Sequence, residues 1–210
     1  MGKKKEMKRS SEKISCTLPF GTYNGEFTLL KKGEKRNIRD MKSCKNAFIP
    51  IKVNDESVYV AEPDGKLIPN MVNQQKCDFL IYCQNQPQTC FIELKGENIS
   101  AKKEYNPYDQ IIDTIKFLKN EKRLNNLVSG DVEKHAFIVS PGRQKIPRGV
   151  ETGERQLWKN LVQPQKKSRT TWDLVHYVKV TKSGRYSNKK QIICSPESPI
   201  QIPFNNQEGK

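Results

Sequence analysis

Residues 90–96, Cys-Phe-Ile-Glu-Leu-Lys-Gly, place an acid and an amine two positions apart inside an apolar run. Successive side chains of an extended strand alternate faces, so Glu93 and Lys95 project from one side while Ile92 and Leu94 enter the opposite layer. Upstream, residues 76–83 form a second strand-like run, and the polar stretch 84–88 between the two reads as a hairpin turn. Closing that turn carries Asp78 toward Glu93. Two carboxylates and a lysine at one end of a hairpin suit a hard divalent cation and an activated water. On the first strand Asp78, Leu80 and Tyr82 share one face and Cys77, Phe79, Ile81 and Cys83 the other, a pattern of burial on both sides that marks a central strand.

Beyond Gly96, Asn106-Pro107 announces a helix, with Asn as N-cap and Pro at the first helical position. Tyr108, Ile111, Ile112, Ile115 and Leu118 follow at spacings of three and four, predicting an amphipathic helix to about residue 122 whose other face carries Asp109, Gln110, Asp113 and Lys116. Residues 134–140 read as a strand closed by Pro141-Gly142. Before the hairpin, 14–30 reads as short strands broken by Pro19, Gly21 and Gly25. A short helix is expected within 34–46 around Ile38 and Met41, then extended segments at 48–53 and 57–61. After residue 141, Leu157, Trp158 and Leu161 predict a short helix. Two strands, 172–180 and 191–194, are expected to join through a turn at Gly184, and the proline-bearing 196–210 reads as loop.

Charge narrows the choice of partner. Thirty-eight Lys and Arg against 23 Asp and Glu give +15 over 210 residues, an excess that points to a polyanion, nucleic acid first. Between residues 134 and 190 fourteen basic residues face only Glu151, Glu154 and Asp173, so Arg143, Lys145, Arg148, Lys166, Lys167 and Arg169 are candidate phosphate contacts. No run approaches the roughly 18 apolar residues of a membrane span, and no apolar segment follows the basic start. Six cysteines without a C-x-x-C pair read as reduced thiols of a cytoplasmic protein, and His135 and His176 as structural. The expected organisation is a flexible basic arm (1–13), a core (14–140), a basic β-rich extension packed on it (141–204) and a tail (205–210).

The order helix, strand, Asp-bearing strand, E-x-K strand, helix, strand, with Asp78 followed fourteen residues later by Glu93-Leu94-Lys95, resembles the PD-(D/E)xK nuclease superfamily over residues 36–140. The resemblance implies an α/β (α+β) fold of restriction-endonuclease-like type, a mixed β-sheet flanked by helices, and magnesium-dependent hydrolysis of phosphodiester bonds, with Mn2+ as a substitute for Mg2+. Asp78 and Glu93, with the Leu94 carbonyl, would ligate the cation, Lys95 would position water and neutralise charge, and Gln110 would orient the lysine or the water. The chain departs from the family in carrying Cys77 where the motif has proline. An additional upstream acid stays open among Glu34, Asp40, Glu62 and Asp64.

The resulting expectation is an endonuclease on double-stranded DNA, of the kind found in restriction, phage defence or mobile elements, working as a homodimer or with a partner subunit. The alternatives are a non-catalytic nucleic-acid-binding subunit and a nuclease acting on RNA or branched DNA. A competing reading of the E-x-K pair is an exposed cross-strand salt bridge worth ~0.2–1 kcal/mol.

Overall fold

The two apolar runs are the centre of a large sheet: Phe79–Cys83 and Gln88–Leu94 pair antiparallel across the turn at 84–87, with Phe79 opposite Ile92 and Cys83 opposite Gln88. The computed structural model describes residues 17–18, 21–22, 26–40, 47–64, 67–70, 74–96, 106–140, 151–163, 170–182, 186–187 and 191–205. In chain order the strands are β1 (Thr17–Leu18), β2 (Gly21–Thr22), β3 (Phe27–Leu30), β4 (Lys35–Arg39), β5 (Phe48–Val53), β6 (Val58–Ala61), β7 (Phe79–Cys83), β8 (Gln88–Leu94) and β9 (Glu133–Val139). They continue with β10 (Val175–Val180), β11 (Tyr186–Ser187), β12 (Gln191–Cys194) and β13 (Ile200–Ile202); the helices are α1 (Pro107–Asn120), α2 (Glu151–Leu161) and the single turn α3 (Thr171–Leu174).

Eight strands form one mixed sheet in the order β11-β12-β10-β9-β8-β7-β6-β3, and β13-β5-β4 form a smaller mixed sheet. β6, β7 and β8 run as an antiparallel meander; α1 then carries the chain back so that β9 lies parallel to β8, and β10 parallel to β9. The fold is therefore mixed α/β. Both faces of the large sheet are covered, which is why β7 and β8 are buried along their whole length. Leu80, Phe91 and Tyr177 pack with Ile111, Ile115 and Leu157 on the helical side. Ile81, Ile92 and Val178 meet Ile49, Ile51 and Ile200 of the small sheet on the other.

α1 begins where its sequence says. The Asn106 side chain accepts the Tyr108 N–H at 3.0 Å, Pro107 occupies the first turn where no intrahelical donor is needed, and Asp109 and Lys119 sit at the ends the helix dipole favours.

Four expectations change. Lys35–Arg39 is a strand rather than a helix: only Ile38 of its five residues is buried, and the charged neighbours line the outer edge of the small sheet, where they discourage further pairing. Residues 171–174 are helical rather than extended, because Thr170 and Asp173 close a capping box before β10 starts. β10 and β12 pair in parallel rather than as a hairpin through Gly184, while β11 pairs antiparallel to β12. The proline-bearing tail is not all loop: Ile200–Ile202 pairs in parallel with β5, and Phe204 is buried behind it. The arm at 1–13 and residues 206–210 lie outside the described residues. No helix among the described residues is long and apolar enough to cross a membrane.

Candidate active site

Asp78 immediately precedes β7, and Glu93 is the penultimate residue of β8. Alternation puts Asp78 with Leu80, and Glu93 with Phe91, on the side of the sheet that faces α1. Asp78 Oδ2 accepts the backbone N–H of Leu94 at 2.6 Å, so the Asp-bearing segment is tied to the E-x-K segment by a charge-assisted hydrogen bond. Leu94 itself is buried, between Glu93 and Lys95, and the Lys95 N–H donates to the Val139 carbonyl at 2.8 Å. Lys95 Nζ lies 2.7 Å from Glu93 Oε1 and donates to Gln110 Oε1 at 2.5 Å. Gln110 Nε2 in turn donates to the Lys76 carbonyl at 3.3 Å. Asp78, Glu93, Lys95 and Gln110 thus converge at one end of β7 and β8.

The pair is not an exposed salt bridge. The side chains of Glu93 and Lys95 are only 2% and 13% exposed. Burial, followed by the charge of Asp78, raises the Glu93 carboxyl to about 8 against the charge and hydrogen bond of Lys95 and the nearby Asp78 N–H. Burial likewise lifts Asp78 to about 6, opposed by the Leu94 N–H and Lys95 and reinforced by Asp40 and Asp64. Those two are the upstream acids that Asp78 senses. Glu34 instead accepts the Lys31 N–H at 3.0 Å, and Glu62 lines a cavity on the opposite face of the sheet. Asp64 is 3.5 Å from Lys76 Nζ, and that amine also donates to Asn70 Oδ1 at 2.6 Å.

Among the described residues no group of three or more His, Cys, Asp or Glu side chains is placed to hold a metal ion. What the site offers is a pair of carboxylates, and Glu93 Oε2 is buried with no hydrogen-bond partner. A buried acceptor left without a donor is unfavourable unless something else meets it. This donor set fits magnesium, which is commonly held by one or two carboxylates and completes its shell with waters and substrate phosphate oxygens, and does not fit a closed all-protein cage.

Two contributors escape a reading by motif. Thr114 is fully buried on the apolar face of α1; its hydroxyl accepts the Cys77 N–H at 2.9 Å and donates to the Gln110 carbonyl at 2.8 Å. It therefore ties the residue before Asp78 to the helix that carries Gln110. The signal was a polar residue inside a buried stripe, which demands a partner. Lys76, also buried, belongs to the same surround. A second buried chain joins Tyr108, Tyr177 and Glu154, with hydroxyls 2.6 Å apart and Tyr177 donating to Glu154 at 2.8 Å, and locks α1 and α2 to β10. Gly153 sits where an added Cβ would lie 2.9 Å from the Tyr108 ring, so the two helices close to contact there only because that residue has no side chain.

The other candidates fall elsewhere. Arg143, Lys145, Arg148, Lys166, Lys167 and Arg169 lie outside the described residues. His135 and His176 are buried 3.1 Å apart at ring nitrogens, packed on Phe137 and Phe204 and remote from Glu93 along the strand. Cys77, Cys83, Cys90 and Cys194 are buried free thiols. Compared with protein-family models, curated proteins and solved structures, the chain matches none.

Proposed function

We propose that the chain is a magnesium-dependent endonuclease of restriction-endonuclease-like type that hydrolyses phosphodiester bonds in DNA. The observation that carries this reading is the buried junction of Asp78, Glu93, Lys95 and Gln110 on adjacent strands and the following helix, with one Glu93 oxygen unmatched. The β6-β7-β8-α1-β9 order and the +15 charge support it. Asp78 and Glu93 would hold the magnesium ion, with the adjoining Leu94 carbonyl available to the shell; when bound, the ion lowers the pKa of a water and offsets charge on the phosphate. Lys95 is held by Glu93 and Gln110 so that its ammonium points at the place where negative charge grows. In the reaction a water oxygen bonds to phosphorus, the P–O bond to the leaving sugar oxygen breaks, and that oxygen takes up a proton from solvent.

The test is cleavage of plasmid DNA with magnesium by the full chain. Asp78→Ala, Glu93→Ala and Lys95→Ala should each abolish cleavage while DNA binding persists. Activity surviving all three substitutions would remove this site from consideration. The 2.7 Å Glu93–Lys95 contact also favours a second reading, a non-catalytic nucleic-acid-binding subunit in which the ion pair is self-contained. That reading requires salt-dependent DNA binding without hydrolysis under magnesium or manganese.

A further inference from the structure

On the face of the large sheet opposite Glu93, a cavity of about 200 Å³ lies between edge strand β3, its neighbour β6 and strand β4 of the small sheet. Val60 and Phe79 supply an apolar floor, and four charged side chains line the walls: Glu26 and Glu62, Arg36 and Arg39. Glu26 Oε2 is buried there with no hydrogen-bond partner. Burial raises the Glu26 carboxyl above its ordinary range, with Arg123 opposing in part, so a donor of N–H groups delivered to this oxygen would relieve a standing penalty.

The dimensions and chemistry of the occupant follow. The space is below the ~300–1,000 Å³ of sites for drug-sized ligands, yet several times the ~30 Å³ share of a water. A single flat heterocycle on the Phe79 and Val60 floor has the right scale, and aromatic and apolar side chains are the usual platform for an unpaired base. The walls then choose among bases. Guanine turns two N–H donors, on N1 and N2, in one direction and two acceptors, O6 and N7, in the other. Two carboxylates and two guanidiniums are the complement of that pattern. Adenine and cytosine present one amino group beside ring or carbonyl acceptors, and uracil and thymine a single N–H between two carbonyls, so each leaves a carboxylate unmatched.

We propose that this cavity is a guanine-binding site in which Glu26 and Glu62 accept the N1 and N2 hydrogens and Arg36 and Arg39 donate to O6 and N7. The base can come from a free guanine nucleotide or from an unpaired guanine in a strand. Phe79 directly follows Asp78, so a strand seated here would pass the end of the sheet that carries the carboxylates. The inference goes beyond the hydrolytic reading and does not depend on it.

The experiment titrates the full chain, without divalent metal, with GMP, AMP, CMP and UMP, and follows backbone amide shifts by NMR. GMP should bind saturably and at least about tenfold more tightly than the others, the size of effect expected when a mismatched donor or acceptor is buried. Glu26→Gln and, at a more exposed position, Arg39→Ala should each weaken GMP by a similar factor with the melting temperature of the chain preserved, and Asp78→Ala should leave it unchanged. Equal affinity for the four nucleotides, no binding, or GMP binding indifferent to both wall substitutions would overturn the proposal. A labelled single strand with one guanine, compared with adenine at that position and with the same guanine in a duplex, separates the sources. Preference for the unpaired guanine identifies a strand site, and its absence alongside GMP binding identifies a free nucleotide.

Discussion

The paired strands β8 and β9 carry a buried polar cluster at each end, and the two are built differently. At the end near Gln88 and Glu133, polar groups are matched. The Gln88 amide exchanges two hydrogen bonds with the Phe204 backbone at 2.6 and 2.7 Å, Thr89 donates to the Leu127 carbonyl, and Lys134 donates to the Ser129 and Val132 carbonyls. His135 is held between Glu133 and His176. At the other end Glu93 keeps one oxygen without a donor, and both carboxyls are driven above their ordinary range. Burial is the same at both ends. What differs is satisfaction: a matched cluster stabilises the fold, whereas a chemically reactive one is left incomplete for what it binds.

The largest effect should come from Glu93→Gln. Under the hydrolytic reading, magnesium-dependent DNA cleavage falls at least about 10²-fold, comparable to losing one preorganised electrostatic group. Stability, read as melting temperature without metal near pH 8, holds or rises, since a buried acid no longer has to lose its proton. Gln88→Ala should do the reverse: two backbone groups of Phe204 lose their partners at a cost of about 1–3 kcal/mol each, so the melting temperature drops by several degrees while cleavage per folded molecule is retained. Equal loss of activity from both substitutions would erase the distinction between the two ends.

The pH dependence sharpens the same contrast. Glu93 and Asp78 have folded values of about 8 and 6, above model values of 4.5 and 3.8. Between those limits the folded chain holds more protons than the unfolded one, so stability declines as pH rises from about 4 to 8. Metal-free thermal melts should show that decline, and Glu93→Gln should remove most of it. Cleavage should rise over the upper part of that range as the carboxylates ionise, because the cation binds their charged forms.

Thr114 gives a smaller effect. Thr114→Val leaves the Cys77 N–H buried without an acceptor and should cost about 1–3 kcal/mol, measured by denaturant unfolding, while Thr114→Ser keeps the bond and recovers most of the loss. The smallest belongs to the surface. Lys32 and Glu56 are 3.7 Å apart and 61% and 77% exposed, so Lys32→Ala should shift stability by no more than about 1 kcal/mol.

Much of the frame was legible in short-range pattern. The hairpin was readable because two alternating runs flank one polar turn, and α1 because its cap, its proline and its 3.6-residue period agree. Asp78, Glu93 and Lys95 follow from that hairpin by strand alternation, whereas Gln110 was singled out only through the family resemblance. β4 misled because charges around a lone Ile38 fit an amphipathic turn as readily as an edge strand. β13 and the parallel pairing of β10 with β12 had no local signal at all: Ile200 faces Ile51 across about 150 residues, and no turn chemistry marks such a pairing.

The sequence by itself therefore determined which elements form and which faces they bury, since period, caps and turn residues act over a few positions. It also determined that an acid and an amine share a strand face. Tertiary structure alone decided that Glu93 and Lys95 are a buried pair rather than an exposed one, that Thr114 joins strand to helix, and that Asp40 and Asp64 are the acids Asp78 senses. Desolvation and long-range charge depend on what covers a residue, and here the cover is built from segments far apart in the chain.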